Sequence, residues 1–328
     1  MVNIYSISIY ADSPIWWDKD SILIKKSIYY LTYQDYNRVD SLYNILIKKY
    51  PNDPIGYYLK TLLYGAIMLD YASNFKEKDM LYYMRITDSL AKLYKNDAWK
   101  EYYLGAIKIV KGAYMIDNDQ LKGILYAFDG IENIKRSINI DSTLYDAYYY
   151  LGFYYYGKGK IGEKLWWLGI REKTNKKKAI YLLRKAIDNS LFSKEMAIHT
   201  LIGIYIEEGD YKIAEAIIKK GYENNNRDRL YLWDFIKLYK KWNKHNKFLF
   251  YTNRLLEFYD KIKDKYPYNW FVLMYEKAIV LEKLNKTQAA FDLYKKLFYF
   301  YNNNTFSKKD KEKLKKIYES IKKKLKED

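Results

Sequence analysis

Few residues in this chain have the chemical types that catalysis or metal binding requires. The sequence contains no cysteine, which excludes disulfides, thiolate zinc sites, iron–sulfur clusters and a cysteine nucleophile. Its two histidines, His199 and His245, lie far apart and have no evident carboxylate partner in the sequence. No G-x-S-x-G or H-E-x-x-H motif is present. We therefore predict no catalytic residues, no metal site and no cofactor.

Three glycines form a pattern that is associated with nucleotide binding. Gly157, Gly159 and Gly162 spell G-x-G-x-x-G, which binds pyrophosphate when it follows a strand and opens a helix. Here a tyrosine-rich helical pattern precedes the glycines and no strand pattern follows them. We interpret them as the end of a helix and not as a nucleotide site.

Gly159 and Gly162 belong to an unusually basic insertion, residues 158–178. It has eight basic and two acidic residues, and it contains Trp166, Trp167 and Arg171. Tryptophan beside basic residues favours a membrane interface. Tryptophan and arginine are also typical hot-spot residues of protein interfaces. As a third alternative, the tryptophans extend a helix and pack back onto its neighbours.

The composition indicates a helical fold. Hydrophobic residues make up 49% of the 328, enough for a sizeable core, while 4 prolines and 14 glycines are too few for an all-β fold. No apolar run reaches the length of a membrane span.

The net charge of +18 points to acidic partners, although the abundance of Lys, Ile, Asn and the 41 tyrosines also fits an AT-rich coding bias.

An internal repeat follows from the spacing of apolar residues after a short turn. In one copy, the turn Gly209-Asp210-Tyr211 is followed by Ala214, Ile218 and Gly221. Turns at Gln34, Asn243 and Asn285 are followed by apolar or small residues at similar steps. Three- and four-residue steps are typical of one face of a helix, so each copy predicts two helices joined by the turn.

Two segments, 145–159 and 201–214, resemble the tetratricopeptide repeat (TPR) family at its leucine/glycine, tyrosine, glycine and alanine positions. The resemblance implies an all-α, right-handed α-solenoid of about seven TPR-like helix pairs with a C-terminal capping helix. The predicted pairs cover residues 20–51, 54–95, 98–140, 143–191, 195–226, 228–265 and 268–301, and the capping helix covers 308–325. The predicted domains are an N-terminal segment 1–19, the array 20–305 and the basic cap 306–328.

The resemblance also implies a concave groove lined by the first helix of each pair, which holds a peptide or helix of another protein. Position by position, the groove residues are Tyr149, Phe153, Tyr156, His199, Glu207, Trp233, Lys237, Lys240 and Lys241. Their mixture of rings and ammonium groups favours an acidic partner.

We therefore expect a non-enzymatic protein-binding scaffold in the cytoplasm. One alternative is an envelope or membrane-surface protein that uses the Trp166/Trp167 insertion, and another is a basic nucleic-acid-binding protein. Residues 1–19 are faintly similar to the end of an export signal, which would place the protein in the cell envelope.

Overall fold

A computed structural model of the chain describes residues 14–165 and 174–326, with the side chains of 159–165 excepted. The described residues form fifteen α-helices and no strand, which confirms the all-α prediction. The helices are α1 Trp17–Thr32, α2 Tyr36–Lys49, α3 Pro54–Tyr71, α4 Glu77–Lys92, α5 Asp97–Met115, α6 Gln120–Ile140, α7 Asp146–Leu165, α8 Lys176–Asn189, α9 Lys194–Glu207, α10 Tyr211–Asn224, α11 Arg229–Lys241, α12 His245–Tyr259, α13 Pro267–Lys283, α14 Thr287–Asn303 and α15 Lys308–Lys324.

The turns predicted from the sequence share one backbone geometry. Gln34, Gly209, Asn243 and Asn285 all have a left-handed backbone, with φ between 51° and 79°. The next residue in each turn donates its N–H five positions back, as in Lys286 to Leu281 and Asp210 to Tyr205. This is the Schellman end of a helix, and its recurrence after α1, α9, α11 and α13 explains why these turns look alike in the sequence.

From the sequence, the glycines of the G-x-G-x-x-G string are interpreted as the end of a helix. The structure shows that this interpretation was wrong. Gly157, Gly159 and Gly162 all lie within α7, which continues to Leu165. A glycine ends a helix by adopting a left-handed conformation, and Gly209 is the one described glycine with a positive φ. The string therefore lengthens α7 into the insertion.

The described residues divide into two compact units. Unit 1 comprises those of 1–64 and 78–201, and unit 2 comprises those of 65–77 and 202–328. Helices α3 and α9 each contribute residues to both units. Along the chain, helices pack mainly against their sequence neighbours.

In unit 1, α5 and α6 approach closely because glycines face each other along their contact. A methyl group added to Gly112 would lie 2.5 Å from the carbonyl oxygen of Gly123, and one added to Gly105 would lie 2.7 Å from that of Gly130. Each helix places its two glycines seven residues apart, on one face. The opposite face of α6 is thereby turned outward.

Buried hydroxyl groups join α3, α5 and α7 in unit 1. The hydroxyl oxygen of Tyr58 lies 2.9 Å from that of Tyr102 and 2.8 Å from that of Tyr150. All three rings are buried. Burial raises the pKa of each, so the hydroxyls stay neutral and exchange hydrogen bonds. These hydrogen bonds thus link α3, α5 and α7, which are the first helices of three predicted pairs.

A buried carboxylate fixes the start of α7 to the connection before α9. Asp146 accepts backbone N–H groups from Leu191, Phe192 and Ser193 at 2.8 to 3.0 Å, and the Ser193 hydroxyl also donates to it. Burial raises the pKa of Asp146, and these donors partly oppose that effect. The carboxylate thereby satisfies N–H groups that the turn leaves open.

Candidate partner-binding surface

In unit 2, ion pairs join exposed side chains of three first helices. The carboxylate of Glu207, at the end of α9, lies 3.1 Å from the ammonium of Lys237 and 3.2 Å from that of Lys241, both on α11. Lys240 on α11 lies 2.6 Å from the carboxylate of Glu276 on α13. Four of the predicted groove residues are therefore held on neighbouring helices. We call Glu207, Lys237, Lys240, Lys241 and Glu276 the charged face.

The charged face remains open to solvent. The three lysine side chains are each about half exposed, and the two glutamate side chains are about a quarter exposed. Burial raises the pKa of Glu207, but the hydrogen bonds and charges of Lys237 and Lys241 outweigh it and lower the pKa below its usual value. The glutamate is therefore ionised at neutral pH, and the surface carries three cations against two anions.

Glu276 is not among the residues predicted from the sequence, although the spacing of charged residues in the sequence indicates it. Glu207 and Lys241 are 34 positions apart, and Lys240 and Glu276 are 36 apart. Both separations are close to one repeat length, which brings equivalent positions of successive first helices side by side. Opposite charges one repeat apart therefore indicate ion pairs between neighbouring repeats.

Trp233 lies one turn before Lys237 on α11 and is only half-buried. Its indole N–H donates to the hydroxyl of Tyr259 at 3.3 Å, and the two ring centroids are 6.1 Å apart. Tyr259 is fully buried. Trp233 is thus anchored in the core of unit 2 by α12, which leaves part of its ring at the surface.

The predicted groove residues of unit 1 lie on α7 and in the first half of α9. Tyr149, Phe153 and Tyr156 follow each other at helical spacing on one face of α7. Phe153 is 56% exposed, whereas Tyr149 and Tyr156 are half-buried. Burial raises the pKa of Tyr149. The Tyr149 side chain also forms a hydrogen bond with the side chain of Thr200 on α9. His199 is half-buried beside that threonine.

Trp166, Trp167 and Arg171 lie outside the described residues, as do residues 1–13 of the predicted N-terminal segment. Within the ranges 14–165 and 174–326, no cluster of three His, Asp or Glu side chains is placed to hold a metal ion. Over the same ranges, no helix combines the length and the apolar character needed to cross a bilayer.

Comparison with known proteins assigns no family to the chain. No protein-family model matches it. A search of curated proteins also finds no match.

Proposed function

We propose that this protein is a non-enzymatic scaffold that binds an acidic segment of another protein on the charged face. The observation that carries the proposal is the convergence of Lys237, Lys240 and Lys241 with only two glutamates on three neighbouring helices. Trp233 adds a partly exposed ring one turn away. The lysines orient an acidic partner and speed its association, and the Trp233 ring supplies apolar contact.

The proposed mechanism is an exchange of ion pairs on a rigid surface. Exposed ion pairs contribute only about 0–1 kcal/mol each, so a partner's carboxylates replace Glu207 and Glu276 at little cost. The helices are already ordered by their packing, and the partner segment bears most of the conformational entropy loss. This is the mode of an extended segment or helix lying across stacked helices.

We further propose that the helices form a right-handed, TPR-like solenoid of seven pairs with α15 as its cap. The shared Schellman turns after α1, α9, α11 and α13 support a repeated unit. The ion pairs about one repeat apart support side-by-side first helices. As predicted from the sequence, we place the scaffold in the cytoplasm, with export to the envelope as the alternative.

The test is binding of a fluorescent peptide in which glutamates alternate with leucine and phenylalanine, measured by anisotropy with the full chain. The variant Lys237→Gln/Lys240→Gln/Lys241→Gln is expected to bind at least about tenfold more weakly. Glu207→Gln is expected to bind more tightly, because it removes the internal competitor of two lysines.

The matched control replaces three exposed lysines elsewhere in unit 2, Lys212→Gln/Lys220→Gln/Lys244→Gln. It removes the same net charge, so it reports the contribution of the general positive field. Equal affinity of the two triple variants would reject the charged face as the site.

A further inference from the structure

An apolar strip lies on the outward side of α6 in unit 1. Leu121, Leu125 and Phe128 follow each other at steps of four and three residues, on the face opposite the glycines that contact α5. Leu121 is 42% exposed and Leu125 is 54% exposed. Ile116, in the connection between α5 and α6, is also exposed. We call Leu121, Leu125 and Phe128 the α6 strip.

A cluster of lysines and tyrosines adjoins the α6 strip. The ammonium of Lys178 lies 4.0 Å from the ring centroid of Tyr155 and 2.8 Å from its hydroxyl oxygen. Lys158 lies 5.2 Å from the same centroid. Lys135 lies 5.5 Å from the centroid of Tyr154. These five residues from α6, α7 and the start of α8 form the lysine–tyrosine cluster.

One ring contact makes the strip and the cluster a continuous surface. Phe128 packs edge-on against Tyr154, with their centroids 6.1 Å apart. Two acidic residues of α6 are paired with lysines at 2.7 Å, Asp129 with Lys108 and Glu132 with Lys135. Both carboxylates are 58% exposed, so a lipid phosphate can replace Glu132 at Lys135 at little cost. The surface therefore combines exposed aliphatic side chains, amphipathic rings and ammonium groups.

From this combination we infer that the α6 strip and the lysine–tyrosine cluster dock the protein on an anionic lipid bilayer. Exposed leucines enter the boundary of the acyl chains, tyrosine rings lie at the level of the headgroups, and lysines bind lipid phosphates. Single-stranded nucleic acid would use the lysines and rings, but it offers nothing to the aliphatic side chains of Leu121 and Leu125. The observations thus favour a lipid surface, independently of the charged face of unit 2.

The close packing of α5 on α6 suits this role. A membrane-docking element must keep its apolar side chains outward against their tendency to turn into the core. The facing glycines bring the two backbones into contact and fill the inner side of α6, so that the strip is presented on a rigid support.

The experiment is co-sedimentation of the full chain with vesicles of phosphatidylglycerol and phosphatidylcholine. Binding is expected to these vesicles and not to pure phosphatidylcholine. Leu121→Ser/Leu125→Ser is expected to weaken binding at least about tenfold, because less apolar surface enters the lipid. Lys135→Gln/Lys158→Gln/Lys178→Gln is expected to weaken it roughly 100-fold.

Matched controls separate the site from general effects. Leu93→Ser/Ile140→Ser replaces two other exposed aliphatic residues of unit 1, and Lys25→Gln/Lys48→Gln/Lys95→Gln replaces three other exposed lysines. Both control variants are expected to bind the anionic vesicles nearly as tightly as the original chain does. The circular dichroism spectrum of every variant is compared with that of the original chain to check that its helix content is unchanged.

A second readout uses the absence of cysteine in the sequence. Leu125→Cys gives one attachment point for the dye NBD, whose emission shifts to the blue on entering lipid. A blue shift with anionic vesicles, absent from labelled Leu93→Cys, is the expected result.

The inference is overturned if the original chain does not sediment with the anionic vesicles, or if the leucine and lysine variants bind as well as their controls. It is also overturned if the chain instead binds a single-stranded oligonucleotide and only the lysine variant loses that binding.

Discussion

The guanidinium of Arg229 donates to both carboxylate oxygens of Asp70, a residue 159 positions earlier in the chain, and its Nε lies 3.1 Å from Oδ1. Both side chains are nearly buried. The guanidinium carbon lies 3.7 Å from the ring centroid of Phe258, which covers its face. The backbone carbonyl of Asp70 also accepts from Tyr259 and Asn269. The pair therefore fastens the end of α3 to α11, α12 and α13 within unit 2.

Replacing one partner of this pair is expected to destabilise the protein strongly. Arg229→Met removes the guanidinium from a carboxylate that is only 8% exposed, which costs about 3–5 kcal/mol of unfolding free energy. Asp70→Leu/Arg229→Met is expected to recover part of that loss, because no buried charge remains. Urea unfolding measures both variants. The exposed pair of Arg38 and Asp35 is the control, and Arg38→Met is expected to change stability by less than about 1 kcal/mol.

The contact between α5 and α6 predicts a second destabilising change. Gly112→Ala would place a methyl group 2.5 Å from the Gly123 carbonyl oxygen, and that backbone atom cannot turn away as a side chain would. We expect a loss of about 1–3 kcal/mol from overpacking. Thermal unfolding followed by circular dichroism measures it.

Gly157 provides the matched control for this substitution. It is also helical, but apart from its chain neighbours and its own helix backbone, no atom of the described residues lies within 4 Å of a methyl group added to it. Gly157→Ala is expected to stabilise the protein by up to about 1 kcal/mol, since alanine is the better helix former. An equal loss at both positions would mean that close packing of α5 on α6 is not the cause.

The hydroxyl network of Tyr58, Tyr102 and Tyr150 predicts a non-additive result. Tyr58→Phe removes the shared partner of two buried hydroxyls, which is expected to cost about 1–3 kcal/mol. Replacing all three tyrosines with phenylalanine removes all three hydroxyls of this network together. We therefore expect the triple variant to lose less stability than the sum of the three single variants in urea unfolding. Strict additivity would show that the hydroxyls act separately.

Glu215 gives unit 2 a stability that depends on pH. Burial raises its pKa, but hydrogen bonds from Lys247 and Tyr239 and the charge of Lys219 outweigh it and lower the pKa from 4.5 to about 2. Because the folded pKa is below the unfolded one, this stabilisation is complete above pH 4.5 and is lost as the pH falls through about 2. The stability difference between the original chain and Glu215→Gln is therefore expected to shrink over this range. Urea midpoints at neutral and acidic pH measure it, and a constant difference would contradict the assignment.

The candidate site was only partly predictable. The sequence predicts Glu207, Lys237 and Lys241 as groove residues, and the structure brings them together, while their role in binding stays a prediction. The internal pairing was not foreseen, and it makes the charged face less positive than its lysines alone indicate. The sequence also predicts Trp233 as a groove residue, but its hydrogen bond to the buried Tyr259 holds part of its ring in the core. Such partners depend on the rotation of each helix about its axis, which the repeat pattern leaves open.

By itself, the sequence determined the helices and the turns. A helix is held by hydrogen bonds four residues apart, and a turn by the left-handed backbone of a residue such as Gly209 or Asn285, so both depend on nearby residues. Only the tertiary structure decided that Gly112 meets Gly123 and that Arg229 meets Asp70. Those contacts join residues that are distant in the chain, and their geometry is fixed only when the helices pack.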